Sequence, residues 1–400
     1  MVRDAPLKAP WFKVGSSVGE GPHSGGAHGE DAVTNVFLVA GEASGDLHAA
    51  NLLLALRRLA PGVEAVGVGG ERLRDAGLEC VAHSEELSLM GIAEVVRDLP
   101  RLWRLSRRVR GAALARRPGV AVLVDSPDFN LPLARHLARA GIPVVIYISP
   151  QLWAWRAGRV RRIRRDVRRV LCILPFEVDF YERHGVPAEF VGHPLVDELA
   201  PVMRELPPRA PHALALLPGS RWHEVESLLP AMLGAAGRLG TTIPDLKVRL
   251  VVAPGLDPER VRGLLAGAAV ELVTLDRHRT LASCSAALVA SGTATLECAL
   301  LGVPMVVGYR LHPASYLMAR LLVRVPHVAL VNLVAGEGIV PELVQDAFTV
   351  EALAREAGAL LGGAGGRQQP GLAEVRRRLG EEGASERAAR AVLAVAQGAA

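Results

Sequence analysis

The sequence predicts an α/β protein of two Rossmann-like, doubly wound halves facing each other across a cleft, and three observations predict it. Short apolar runs alternate with amphipathic stretches from residue 35 onward, the rhythm of βαβ units on a parallel sheet. A chain of 400 residues, half of them apolar, is long for one core and comfortable for two of about 150–200 residues each. Pro201, Pro207, Pro208 and Pro211 crowd the middle of the chain, where they interrupt any periodic element and mark a linker over 200–211.

Residues 1–34 are rich in Gly, Pro, Ser and His without periodicity, and read as a flexible extension outside the fold. The first half, 35–205, opens with a strand at 35–40, a glycine-containing turn and a helix over 46–59. Further buried strands are expected at 120–124, 143–149 and 170–174. The second half, 206–365, restarts with strands at 213–217, 247–252, 286–290 and 303–308 and helices at 222–239 and 293–301. A glycine-rich break at 362–366 precedes a charged C-terminal segment, 366–400, read as one helix over about 372–396.

The net charge of +5 comes mostly from arginine clusters, which point to phosphate, anionic lipid or nucleic acid without choosing among them. Cys80, Cys172, Cys284 and Cys298 are scattered and form no C-x-x-C pair. That argues against a disulfide framework or a zinc site and suits a reducing compartment. No run reaches the ~18 apolar residues that span a bilayer, and no export signal is recognisable, so a cytosolic protein is expected. Gly67-Val68-Gly69-Gly70 is not a dinucleotide fingerprint, and there is no D-x-D or H-E-x-x-H; neither a cofactor nor a metal is predicted.

Four strand-to-helix turns carry candidate chemistry. Gly41-Glu42-Ala43-Ser44-Gly45-Asp46 follows the first strand, where doubly wound folds bind ligands. Glu42 and Asp46 add carboxylates for hydroxyl groups, although Asp46 as a helix cap reads equally well. Asp125-Ser126-Pro127-Asp128-Phe129-Asn130 follows a buried strand. A carboxylate there is partly desolvated, which raises its pKa and suits a general base; a capping turn is the plainer reading. Pro218-Gly219-Ser220-Arg221 offers backbone N–H groups and a guanidinium to a diphosphate, unless Arg221 simply pairs with Glu224 along the helix. Ser291-Gly292-Thr293 repeats the pattern, with Glu297 one turn into the helix to grip a ribose, against a capping box. Two phosphate-type turns in one half make that half the nucleotide domain.

Residues 99–117 hold seven arginines and no acid, with Leu99, Leu102, Trp103, Leu105, Val109 and Leu114 at helical spacing. A basic amphipathic helix bearing Trp reads as lying on an anionic membrane; a domain helix facing its core is the commoner case. Residues 156–169 add eight arginines and one aspartate as a solvated face, a lipid-phosphate site or, last in rank, a nucleic-acid patch. His48 and His193 are left without a catalytic role.

In unbroken order, VAGEASGD (39–46), LSLMGIAEV (87–95), VDSPDFN (124–130), YISPQLWAWR (147–156), LPFE (174–177), FVGHPL (190–195), LLPGSR (216–221), ASGTATLE (290–297), PMVVGYR (304–310) and NLVAGE (332–337) resemble the lipid-A-disaccharide synthase family. The resemblance covers about 35–350 and fades beyond Asp346; Trp222-His223 follows Arg221 where smaller residues would be more comfortable, and 1–34 has no counterpart. It implies a GT-B glycosyltransferase with the UDP donor in the second half. The implied reaction is transfer of 2,3-diacylglucosamine from UDP to the 6-hydroxyl of 2,3-diacylglucosamine 1-phosphate (lipid X), with inversion. By that resemblance Asp125 is the candidate base and Arg221 the diphosphate stabiliser. Gly219, Ser220, Ser291, Gly292, Thr293, Glu297 and Asn332 fall on the UDP side. Glu42, Ser44, Gly45, Asp46, Asp128 and Asn130 fall on the acceptor side. Leu89, Met90, Ile92, Leu102, Trp103, Arg104 and Arg107 fall where acyl chains and membrane are expected. A peripheral enzyme on the inner face of a Gram-negative inner membrane, with a homodimer as an option, completes the expectation. Other GT-B enzymes acting on UDP-sugars and a non-catalytic UDP-sugar-binding adaptor are remote alternatives.

Overall fold

A computed structural model describes residues 35–88, 95–155, 157–265, 267–311 and 326–398. The first half contributes β1 (Asn35–Ala40), β2 (Glu64–Gly69), β3 (Glu79–His83), β4 (Val120–Val124), β5 (Val144–Tyr147), β6 (Arg169–Cys172) and β7 (Ala188–Phe190). They form one parallel sheet in the order β3-β2-β1-β4-β5-β6-β7. The second half contributes β8 (Ala213–Leu217), β9 (Lys247–Val251), β10 (Glu271–Val273), β11 (Ala286–Ala290), β12 (Met305–Tyr309) and β13 (Glu342–Val344). Their sheet is also parallel, ordered β10-β9-β8-β11-β12-β13.

The central strands are continuous apolar runs because helices cover both faces of each sheet. Along β1 the side chains alternate: Val36, Leu38 and Ala40 enter one core, Phe37 and Val39 the other. Strand β11 does the same in the second sheet, with Ala287 and Val289 in one core and Ala286, Leu288 and Ala290 in the other. The period of two that reads as a strand thus fills two cores at once.

The short strands β7, β10 and β13, of three residues each, are too brief for a periodic signal and were not expected. Neither was β2, where Gly67 and Gly69 weaken the strand pattern. Gly67 belongs there because a Cβ at that position would lie 1.8 Å from the Leu38 carbonyl oxygen, so only glycine lets β2 approach β1.

Two expectations are corrected. The linker does not begin at residue 200: the helix Pro194–Arg204 runs through Pro201, held by the buried Leu195, Val196, Leu199 and Ala200. The single C-terminal helix is two, Gln369–Arg378 and Ala384–Ala396. Gly380 (φ +86°) and Gly383 (φ +95°) take left-handed conformations between them, which break the helix and redirect the chain. Leu372, Val375 and Leu379 pack on the second half, whereas Ala388, Val392 and Val395 join Leu53, Leu56 and Tyr147 on the first sheet. Gly383 N–H donates to Asp197 (2.6 Å) and Arg387 to the Val191 carbonyl (2.8 Å), fixing the crossing.

Candidate active site

Each sheet changes winding direction once, between β1 and β4 in the first and between β8 and β11 in the second. Ligands bind at the carboxyl ends of the strands flanking such a point. The four turns singled out in the sequence follow those four strands. In the first half, turns 41–45 and 125–130 touch: a Cβ on Gly41 would lie 2.6 Å from the Ser126 hydroxyl.

Asp125 and Ser126 both hold left-handed backbone, at φ +48° and +42°, a conformation that costs non-glycine residues of order 1–3 kcal/mol each and persists where the surroundings over-determine it. Asn130 is part of that determination. It is buried, and its Nδ2 donates to the Val124 (3.1 Å) and Asp125 (2.7 Å) carbonyls; it shapes the turn that presents Asp125. Burial and then the nearby Glu42 push the Asp125 carboxyl up to about 6, while the Ser126 N–H and the Arg221 guanidinium pull it down. Arg221 follows β8 in the other sheet, and its positive charge is the smallest of these four influences on Asp125.

The turn at 218–221 differs from a vacant phosphate cradle. The Glu224 carboxylate accepts the N–H groups of Ser220 (3.0 Å) and Arg221 (3.2 Å). Gly219, at φ +118°, is required there, because a Cβ would meet Glu224 Oε2 at 2.4 Å. Arg221 lies 3.5 Å from Glu224 and remains 66% exposed. The expected pairing with Glu224 is present and leaves the guanidinium largely exposed, whereas the two N–H groups already donate to Glu224.

In the turn after β11, Gly292 faces open space and Thr293 is exposed. The Ser291 hydroxyl donates to the Val328 carbonyl (2.8 Å). Thr293 makes no side-chain cap, so the capping-box reading does not hold. Glu297 is largely buried, 3.6 Å from His278, which also lies 4.0 Å from Glu198 of the first half.

Two predicted ligand residues have other work. Asn332 is buried; its Nδ2 donates to the Val340 carbonyl and Glu342, and its Oδ1 accepts the Ile339 and Val340 N–H groups. That uses the whole amide, so Asn332 builds the loop rather than reaching out with its side chain. Asp46 is buried and accepts the N–H groups of Gly70 (2.6 Å), Arg72 (3.0 Å) and Leu73 (3.3 Å). It caps the helix Glu71–Asp75 rather than binding a hydroxyl, and rather than capping its own helix. Glu42 and Ser44 are exposed at the turn, Gly45 is buried against Val124, and Asp128 pairs with Arg159 at 2.8 Å. Burial pushes His48 down to about 4 and His193 to about 3, and His193 accepts the Leu195 N–H at its helix start. Both imidazoles are neutral at pH 7.

The helix Val95–Arg116 does not carry one apolar stripe. Leu105, Val109 and Ala113 face the core, while Trp103 (58%) and Leu114 (47%) are exposed. Arg107 stacks over Trp103 at 4.6 Å, Arg104 is exposed, and Arg108 pairs with Glu86. A groove of about 420 Å³ beside it is lined by Arg107, Arg110, Leu114, His136 and Arg139, with no acid. Leu89, Met90, Ile92 and the Leu102 side chain lie outside the described residues. Within the second basic run, Arg159, Arg165 and Arg169 are paired to Asp128, Asp166 and Glu189, as a solvated face would be.

Sequence reasoning did not single out Glu177 or His278 and treated Glu224 only as a partner for Arg221. Glu177 lay within a quoted motif, LPFE, but nothing local marks a glutamate as buried.

A family model described as lipid-A-disaccharide synthetase matches residues 36–395. The lipid-A-disaccharide synthase of Anaeromyxobacter dehalogenans (strain 2CP-C) is 50% identical over 371 residues, 90% of this chain and 97% of that one. That of Myxococcus xanthus (strain DK1622) is 45% identical over 370 residues, 90% and 96% of the two chains. Among solved structures, the glycotransferase of kitacinnamycin superposes with a TM-score of 0.62 at 17% identity, over 91% of this chain and 99% of that one. The UDP-GlcNAc 2-epimerase from Neisseria meningitidis does so with a TM-score of 0.58 at 11% identity, over 90% and 98%. These likenesses show the GT-B type of fold. With the match running through both sheets and the final helix, the chain belongs to the lipid-A-disaccharide synthetase family.

Proposed function

We propose that this protein is a lipid-A-disaccharide synthase. It moves 2,3-diacylglucosamine from UDP-2,3-diacylglucosamine to lipid X, inverting the anomeric carbon and yielding the β-1,6-linked disaccharide 1-phosphate and UDP. The observation that carries the reading is the match to this family through both halves, with Asp125 and Arg221 each in the turn after a strand that flanks its sheet's switch point. The acceptor 6-oxygen attacks the anomeric carbon, its proton passes to Asp125, and the bond to UDP breaks with its electron pair going to the diphosphate. A carboxyl held near 6 is ionised at neutral pH yet basic enough to take a proton in the transition state. The exposed guanidinium of Arg221 meets the charge that develops on the leaving diphosphate.

Acylated substrates come from a membrane, and no helix among the described residues is long and apolar enough to cross one. The exposed Trp103 and Leu114 beside the acid-free cationic groove support peripheral docking on an anionic leaflet, the inner face of the inner membrane. The test is incubation with UDP-2,3-diacylglucosamine and lipid X, reading products by mass spectrometry. The expected product is the disaccharide 1-phosphate with stoichiometric UDP. UDP release without disaccharide, or disaccharide from non-acylated UDP-N-acetylglucosamine at an equal rate, contradicts the assignment.

A further inference from the structure

Glu177, in the helix Pro175–Arg183, is the most deeply buried acid among the described residues, at 1% exposure. Its Oε1 accepts the Ser149 hydroxyl (2.7 Å) and the Trp153 indole N–H (3.1 Å), and its Oε2 accepts the Leu174 N–H (3.2 Å). No cation pairs with it among the described residues, and burial pushes its carboxyl up to about 7 against the pull of these donors. An acid buried without a cation is costly even when hydrogen-bonded. As the third residue of its helix Glu177 takes the Leu174 N–H with one oxygen, as a glutamate or glutamine at that position commonly does; its other oxygen goes to Ser149 and Trp153 instead.

What the carboxylate holds lies beside the catalytic floor. Ser149 and Trp153 belong to the segment that leaves β5, the neighbour of β4, and the Asp125 N–H donates to the Tyr147 carbonyl at the end of β5 (3.2 Å). Ile148 in between is held at φ +63°, a left-handed conformation that a β-branched residue adopts only when its surroundings force it. Trp153 then meets Phe176 edge to face, with centroids 4.9 Å apart. Both rings pack on a buried cluster that runs from Leu174, Leu195 and Leu199 into Ala213, Leu217 and Leu296 of the second half. The segment therefore touches the Asp125 strand end at one side and the junction of the halves at the other.

We propose that Glu177 is a positioning residue for glycosyl transfer: its carboxylate seats residues 149–153 against the second half and so sets the separation across which Asp125 meets Arg221. The inference rests on the transfer reaction proposed above.

The decisive variants leave Glu177 itself intact. Trp153→Phe keeps an aromatic ring and loses the N–H; Ser149→Ala loses the hydroxyl. Kinetics with both acylated substrates, scaled to the number of UDP-binding molecules, count only folded protein. For the double variant, kcat is expected to fall about tenfold to a hundredfold, as ångström-scale misplacements do, while KM for the UDP donor stays within about twofold because its pocket lies in the other half. Glu177→Gln, which keeps one carbonyl acceptor, is expected to fall in the same direction. A double variant whose kcat per UDP-binding molecule equals that of the wild type overturns the proposal, and so does a loss confined to the fraction folded. Wild-type protein that forms no disaccharide sinks the reaction itself; wild-type activity with unaffected variants sinks only the role of Glu177.

Discussion

Asp125 and Arg221 follow strands of different sheets, and yet the Arg221 guanidinium stabilises the Asp125 carboxylate against burial and against Glu42. If Asp125 is the base, only its ionised form works, so kcat/KM is expected to rise through pH about 6 and level off above it. Removing the cation in Arg221→Gln disfavours the carboxylate and moves this limb to higher pH. Removing the anion in Glu42→Gln moves it to lower pH. pH–rate profiles of the three proteins check both signs.

Arg221→Ala is expected to slow kcat by ~10²-fold or more, the scale seen when a charge-stabilising donor is lost. Single-turnover measurements with the acylated donor separate this from slow product release. Near-normal kcat would remove Arg221 from the chemistry.

Asp125→Asn is expected to abolish transfer while making the fold more stable at pH 8. The carboxyl is raised from 3.8 to about 6, so folding favours its neutral form. The neutral form's advantage is fully present below the unfolded value near 4 and lost as pH rises through 6. The wild type therefore bears a penalty above pH 6, at most about 3 kcal/mol from a shift of this size, that the asparagine variant escapes. Thermal melts at pH 8 and pH 4 should show a gap at the first and none at the second.

Asp46→Ala removes the acceptor of three backbone N–H groups and is expected to cost about 1–2 kcal/mol of stability. Because the carboxylate faces the helix Glu71–Asp75 rather than the cleft, KM for lipid X should stay near the wild-type value. A large rise in that KM at unchanged melting temperature would restore Asp46 to the acceptor site.

Gly383→Ala forces a left-handed Cβ at the crossing to the last helix, where φ is +95°, and is expected to cost about 1–2 kcal/mol. Denaturant titration measures it. A neutral result would mean that the crossing tolerates another backbone path.

How much was legible in advance divides along the range of the interactions. Strands β1, β4, β8 and β11 were readable because a parallel strand covered on both faces is a continuous apolar run whatever its neighbours are. The turns after them were readable because a strand end followed by small, polar residues opens a helix. Asp125 and Arg221 were located in that way, from a few adjacent residues each.

What Asp46 and Asn332 hold, and that Glu224 also takes the N–H groups of Ser220 and Arg221, could not be read, since a carboxylate or amide looks the same in sequence whether it binds a ligand or a backbone. Asp46 finds its partners 24 to 27 residues away, and Glu177 finds Ser149 28 residues away. The apolar residues of Val95–Arg116 likewise needed the sheet beneath them before Leu105 and Val109 turned inward and Trp103 outward.

By itself, then, the order of residues determined two parallel-sheet halves, the turns at their strand ends and the family to which those turns point. Only the tertiary structure decided which polar groups are consumed by the fold and which stay available, and that the last helix returns to the first sheet. The reason is that local propensity and pattern depend on neighbours along the chain, whereas burial, hydrogen-bond satisfaction and pKa depend on atoms brought close by folding.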